Sequence, residues 1–210
     1  MEQLPKNENQ NDDYDWKEYY ELHKDVGHTL SLEKAVTQYC EDKGNALDIG
    51  AGNLRDTKFL LEKGFTVTAI DPSPASAAMA EQLNNPELTM VQEIIGTWDF
   101  PKDYFCLVNA EGILFHFSPQ RLDIIMNKIK GSIKSGGVFS GNFLGVHDGW
   151  NNEGTDKNFF DREGIQELFA GFDIKQLGEG ERDGTSAASE IEGTNIPKHW
   201  HMFRIIAVKK

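Results

Sequence analysis

The sequence predicts an α/β fold: a doubly wound, mostly parallel sheet with an antiparallel C-terminal edge hairpin. Three observations carry this prediction. Apolar, β-branched runs at 46–49, 65–70, 88–91, 104–109 and 138–144 alternate with segments of helical periodicity, as consecutive β/α units require. The first run passes into Gly50 and Gly52 and then into a helix, which places bare backbone and a helix N-terminus at the C-terminal edge of a sheet. The runs at 172–177 and 202–208 have no helix between them, so they should pair antiparallel.

Residues 1–13 are rich in Asn, Asp, Glu and Gln and too poor in apolar surface to offset the entropy of ordering, which predicts a mobile tail. Tyr14, Trp16, Tyr19, Tyr20 and Leu22 then arrive together, partly at helical spacing. Two readings of this helix stay open: its aromatics pack on the core, or it closes over a ligand. Ser31 is read as the start and cap of the next helix, with Leu32, Ala35, Val36 and Tyr39 on its apolar face and Gly44 as its stop. Residues 56–63 read as a helix, and 74–83, alanine-rich with Pro74 at its start, as another. Residues 119–133 carry Leu122, Ile125, Met126, Ile129 and Ile133 at steps of three and four, ended by Gly136 and Gly137. Residues 145–158 form a long polar loop bearing Trp150, and loops of that length in compact domains are usually functional or mobile. A short helix is expected over 161–169, and the Gly/Glu/Ser-rich segment 178–197 is expected to separate the last two strands. The expected organisation is a tail and aromatic lid helix over 1–30 and one domain over 31–210.

The composition excludes several classes. A formal net charge of −13 argues against nucleic acid, whose binders need clustered Lys and Arg to displace counterions. No apolar run is long enough to span a bilayer, and the polar start lacks a secretory pattern, so a cytoplasmic address without membrane contact is expected. Cys40 and Cys106 lack metal-ligand spacing and read as reduced structural thiols.

The glycine turn reads as a nucleoside site. Asp71, at the end of the second apolar run, follows Gly52 by 71 − 52 = 19 positions, about where an acidic side chain accepts both ribose hydroxyls. A dinucleotide fingerprint needs a small residue where Arg55 stands, which weakens a pyrophosphate reading. Asp48-x-Gly50-x-Gly52 followed by Asp71-Pro72-Ser73 resembles the first two motifs of the class I S-adenosylmethionine-dependent methyltransferases, although Leu54 stands where that family often has a third glycine. The resemblance covers about residues 45–144. It implies a Rossmann-like sheet, S-adenosylmethionine as cofactor with S-adenosylhomocysteine as product, and a small-molecule acceptor. Asp183-Gly184 and Lys198-His199-Trp200-His201 are similar to a subgroup of small bacterial methyltransferases related to tellurite-resistance proteins.

By that resemblance, Gly50, Ala51 and Gly52 approach the methionine and ribose end and Asp71 and Pro72 hold the ribose side. Glu93 and Ile94 flank the adenine, Asn109 and Ala110 sit near the sulfonium, and Tyr20 and Arg55 complete the cofactor set. Asp48 is expected to order the glycine loop rather than touch the ligand. His116 and Glu111 are the catalytic candidates, His116 being equally readable as a packed histidine. His147, Trp150, His199 and His201 are expected on the acceptor side. His199 and His201 share a strand face, but spacing places no third ligand beside them, so no metal is expected. The Tyr39-to-Lys43 spacing matches a short-chain dehydrogenase motif but precedes the glycine turn, and it is read as coincidence. Neither Asn-Pro-Pro-Tyr nor Asp-Pro-Pro-Tyr occurs, so amino-group methylation of nucleic acid has no support. A non-catalytic cofactor-binding module and an NAD-dependent oxidoreductase are the rival readings, and either a monomer or a homodimer is compatible with the sequence.

Overall fold

The computed structural model describes residues 16–41, 43–186, 189–190 and 193–210. The expected tail at 1–13, Tyr14 and part of the segment 178–197 lie outside the described residues. The elements run α1 (Trp16–Leu22), α2 (Leu30–Tyr39), β1 (Asn45–Ile49), α3 (Arg55–Glu62), β2 (Thr66–Ile70), α4 (Pro74–Leu83), β3 (Leu88–Val91), β4 (Phe105–Ala110), α5 (Pro119–Ser132), β5 (Ile133–Gly145), β6 (Phe159–Phe160), α6 (Arg162–Leu168), β7 (Phe172–Gly184) and β8 (Lys198–Lys209), with a 3₁₀ turn at Leu114–His116.

The sheet order is β3-β2-β1-β4-β5-β8-β7, with β6 attached to β5. β1 to β5 pair in parallel, and β8 runs antiparallel to both β5 and β7. The chain reverses direction across the sheet beside β1 and β4, so the loops after those strands open a crevice at their C-terminal ends, the ligand position of open α/β sheets. One face packs α5 through Leu122, Ile125, Met126 and Ile129 and α6 through Ile165. The other packs α2 through Leu32, Ala35 and Val36 and α3 through Phe59 and Leu60. No helix among the described residues is long and apolar enough to cross a membrane.

Local chemistry explains the boundaries. Ser73 caps α4 by accepting from Ala75 N at 3.2 Å, Pro74 fits its first turn, and Asn84 ends it in the left-handed region at φ 45°. Asp161 caps α6 by accepting from Gly164 N at 2.8 Å. Ser31 is not a cap. α2 begins one residue earlier behind Thr29, whose backbone N–H and hydroxyl both donate to Asp56, at 2.7 and 3.1 Å, so the start of α2 is tied to the start of α3.

The largest departure concerns the last two strands. β7 continues through Gly184 and β8 starts at Lys198, so much of the segment expected to separate them is paired backbone, in register from Gly178 opposite Arg204 to Gly184 opposite Lys198. β5 likewise starts at Ile133, well before the expected Val138, and the short β6 was not anticipated. Beyond Leu144, which pairs with Met202, β7 and β8 continue as a two-stranded ribbon past the end of their neighbour.

Candidate active site

The turn after β1 needs left-handed backbone at Gly50 (φ 70°) and Gly52 (φ 53°). Gly50 also has no room for a side chain, because a Cβ there would lie 2.8 Å from that of Ile113. Gly50 N donates to Ile70 O at 2.8 Å and Gly52 N to Asp71 Oδ2 at 2.9 Å, so the tips of β1 and β2 are joined. Ser73 N donates to the other oxygen, Asp71 Oδ1, at 2.9 Å. Burial pushes the Asp71 carboxyl upward, and the amides of Ser73 and Gly52 and the hydroxyl of Tyr20 oppose that push. The Tyr20 phenol is held well above its usual range by burial and by Asp71, so it keeps its proton. Leu54 takes the left-handed conformation (φ 63°) that a third glycine would adopt, but its side chain turns inward onto Ala51, Ala69 and Ala80 and is fully buried. The cleft is left open.

Behind the turn lies a buried acid network. Asp48 accepts from Thr57 Oγ1 at 2.6 Å and from Asn109 Nδ2 at 2.9 Å, and Asn109 Nδ2 also reaches Asp56 Oδ2 at 3.2 Å. Burial, then the Asp56 carboxylate, raises Asp48 to about 7. Asp48 thus ties β1 to α3 and β4. Glu111 follows β4. Its Oε1 accepts from Asn142 Nδ2 at 2.8 Å, and Asn142 Oδ1 accepts from Gly112 N at 2.8 Å. Burial raises Glu111 to about 7 against the opposing Arg204 guanidinium. Asn109 Oδ1 and Glu111 Oε2 are buried acceptors without a protein partner.

These groups line a cleft of about 2390 Å³. Of the expected cofactor residues it includes Tyr20, Asp48, Gly50, Ala51, Gly52, Arg55, Asp71, Pro72 and Asn109. Ala110 is sealed inside β4, and Glu93 and Ile94 are not among the lining residues; Pro72, Pro74, Ala75 and Met79 form the wall on that side. The expected catalytic pair, Glu111 and His116, both reach the cleft. Burial, then Lys157, pushes the His116 imidazole down to about 4. Its ring is crowded by protein yet open to the cleft, so cleft water tempers that depression until a ligand excludes it. His116 is therefore a neutral hydrogen-bonding group rather than a strong base, and Glu111 is the better matched proton acceptor.

Of the expected acceptor residues only Trp150 lines the cleft. Strand alternation separates the rest: Arg182, Trp200, Met202 and Arg204 face the cleft, while His199 and the buried His201 lie on the opposite face with Glu179, Glu181 and Asp183. His199 meets Asp183 at 2.9 Å and Glu181 at 3.1 Å, and His147 meets Glu181 at 3.0 Å. The third group that spacing could not supply is provided by the fold, since the ligand atoms of His147, Glu181 and His201 lie within 4.8 Å of one another. His201 Nδ1 nevertheless accepts from His147 N at 3.0 Å, which puts the ring proton on Nε2, 3.1 Å from Glu179 Oε1. That nitrogen then has no lone pair to offer a metal. Cleft residues not singled out from the sequence include Asp56, Asn142, Arg182 and Arg204. Asn142 and Arg204 each interrupt an apolar strand run, which is the signal that would have found them.

Comparison with known proteins agrees with this fold. Residues 46–137 match the model of a methyltransferase domain. An uncharacterized methyltransferase of Synechocystis sp. is 31% identical over 113 residues, 54% of this chain and 51% of that protein, so the chain spans about half the length of this curated relative. Among solved structures, TehB from Haemophilus influenzae superposes with a TM-score of 0.72 at 15% identity, over 91% of this chain and 66% of that one. The 1,6-didemethyltoxoflavin-N1-methyltransferase of Burkholderia thailandensis, solved with 1,6-didemethyltoxoflavin and S-adenosylhomocysteine, superposes with a TM-score of 0.64 at 19% identity, over 93% and 84%. At such identities the solved structures speak for the fold, and the sequence match for the domain. Over residues 46–137 the chain is thus similar in sequence to a methyltransferase domain, and over most of its length it shares the fold of the methyltransferases named above.

Proposed function

We propose that the protein transfers a methyl group from S-adenosylmethionine to a small acceptor in the cytoplasm, releasing S-adenosylhomocysteine. The observation that carries this reading is the Asp71 carboxylate joined to Gly52 N across two strand tips, with the orphaned acceptors Asn109 Oδ1 and Glu111 Oε2 in the same cleft. A carboxylate at the second strand tip suits a ribose diol, and bare backbone at the first suits the amino-acid tail. Buried acceptors without protein donors favour a ligand that brings positive charge and protons to them.

The cofactor supplies an electrophilic methyl carbon. The chain's own residues do the rest. Asp71 fixes the sugar, the backbone at Gly50 to Gly52 fixes the tail, and the cleft walls exclude water and align the acceptor, which alone accounts for much of the acceleration in such displacements. Glu111 takes the proton that the acceptor heteroatom gives up as its new bond to carbon forms. Asn142 holds one carboxylate oxygen so that the other faces the acceptor. α1 acts as the lid, and Tyr20 is its contact with the cofactor side. The alternative of a non-catalytic binding module would call for a cleft filled by the cofactor alone. The space beside Glu111, walled by Phe115, His116, Trp150 and Met202, favours the enzyme.

Isothermal titration with S-adenosylmethionine and S-adenosylhomocysteine is the test. Saturable binding of one equivalent, lost in Asp71→Ala, is expected; absence of heat at high protein concentration would overturn the reading.

A further inference from the structure

Charge is sorted between the two faces of the β7–β8 ribbon. On the outer face Glu179, Glu181 and Asp183 are all engaged, by Arg162 at 2.8 Å and by His147, His199 and His201. On the inner face Arg182 and Arg204 project into the cleft and form no ion pair among the described residues, although Arg204 lies close enough to Glu111 to favour its ionised form. Lys157 enters from the opposite loop with Asp156 beside it, and burial lowers its pKa. In a chain of net charge −13, the two guanidinium groups without an ion pair beside the acceptor space run against the overall balance.

The aromatic part of the same wall is closed to cations. Trp150 and Trp200 meet edge to face at 5.2 Å, and the Lys198 ammonium lies 4.2 Å and 3.5 Å from their ring centroids. Asp148 Oδ1 holds that ammonium at 2.6 Å, and both side chains are nearly fully buried. A methylammonium or choline-like group would have to displace a buried ion pair to use these rings.

From these two observations we infer that the methyl acceptor is a small aromatic carboxylic acid whose carboxylate is bound by Arg204, with Arg182 drawing it in, while its protic heteroatom faces Glu111 Oε2. Guanidinium matches a carboxylate as a two-pronged donor. The ring of such an acid lies against Phe115 and Met202, which form one apolar patch with the partly buried Trp150 and Trp200. This assignment rests on the methyl-transfer reading and adds to it the charge of the acceptor.

The test titrates benzoate and 4-hydroxybenzoate, against benzamide and benzylamine, into protein saturated with S-adenosylhomocysteine. The two carboxylates are expected to bind and the amide and amine not to. Arg204→Gln should weaken the carboxylates about ten- to a hundredfold, the range for losing a charged hydrogen-bond partner. Lys58→Gln makes the same change of net charge at an exposed position of α3 outside the cleft and should leave their affinity as it was. Equal binding of benzamide or benzylamine, an unchanged affinity in Arg204→Gln, or no carboxylate binding at millimolar concentration would overturn the inference. Each of those outcomes leaves S-adenosylhomocysteine binding, and with it the methyl-transfer reading, intact. If instead the protein takes up no S-adenosylhomocysteine, the methyl-transfer reading fails, and the same titrations on the free protein decide whether Arg204 recognises carboxylates.

Discussion

Leu54 sets two opposing effects against each other at one residue. Its left-handed backbone costs about 1–2 kcal/mol for a side chain other than glycine, while its fully buried side chain packs against Ala51, Ala69 and Ala80. Leu54→Ala keeps the strain and loses the packing, so it should destabilise by about 2–5 kcal/mol. Leu54→Gly loses the packing but relieves the strain, so it should be the more stable of the two variants by about 1 kcal/mol, the reverse of the usual order in a helix. Urea unfolding of the pair decides this, and a glycine variant weaker than the alanine one would refute it. The sequence shows the missing third glycine but not the direction in which Leu54 points, because that depends on three alanines from separate elements. Glu111 poses a second question at this scale. Its carboxyl is raised to about 7, so the acid form dominates below that pH and the proton-accepting form above it. Methyl transfer at saturating cofactor should therefore rise with pH through about 7 and level off. Glu111→Gln should abolish the rise and lower kcat about 10²- to 10⁴-fold, the usual contribution of a positioned base. A variant with the wild-type rate would remove Glu111 from the chemistry.

At the scale of elements, α1 competes with the ligand the cleft is built for. The Asp71 carboxylate offers about four acceptor positions. Gly52 N and Ser73 N occupy two of them at 2.9 Å, and the Tyr20 hydroxyl stands close enough to the carboxylate to compete with a ribose diol for the remaining two. The two amides belong to the turns that build the site, so Tyr20 is the partner that yields. Its ring also lies over Gly52, 3.3 Å from where a Cβ would stand. Tyr20→Phe keeps the packing and removes the competing donor, so S-adenosylhomocysteine should bind more tightly, by up to about tenfold for one hydrogen bond. Calorimetry that shows weaker binding would mean that the hydroxyl serves the ligand instead. The aromatic density of 14–22 was legible as a helix that either packs or covers; in α1 Tyr20 is buried, and Trp16, Tyr19 and Tyr20 line the cleft. The β/α units were legible for a simpler reason: their periodicities, Ser73-Pro74 and Asp161 are local signals. The ribbon was not. Residues 178–184 carry Gly, Glu and Asp that disfavour strands, and only backbone pairing with β8, remote in sequence, makes them one.

For the whole molecule, the ribbon decides which side of the fold is acidic and which faces the acceptor, and it is fastened by groups from several elements. Glu181 on β7 holds His147 from the loop and His199 from β8; Glu179 holds Arg162 of α6 and His201; Asp183 holds His199. These histidines, expected among the acceptor groups, thus act as fasteners, because one-residue alternation sends them to the opposite face from Trp200 and Arg204. The hydrogen bonds that His199 donates to Asp183 and Glu181 raise its pKa above the ordinary value of about 6.5. A raised histidine stabilises the folded state fully below the unfolded value, and that contribution is lost as pH climbs through the folded one. The carboxylates limit the window from the other side. Glu179 is held below its usual value first by Arg162 and Glu181 first by His147, so both stay ionised down to mildly acidic pH. The ribbon tip should therefore be most firmly closed in mildly acidic solution and loosen toward pH 8. Amide exchange at 181–184 and 198–201, corrected for intrinsic rates, should be slower at pH 6 than at pH 8. The double change Asp183→Asn and Glu181→Gln, which removes both partners of His199, should erase most of the difference while the exchange of β1 and β4 stays as it was. Because the opposite face of the same backbone carries Arg182 and Arg204, loosening the tip also spreads the cations of the acceptor wall. Acceptor affinity should then fall over that pH interval in the wild type and not in the double variant, and an affinity that falls equally in both would separate the ribbon from the site.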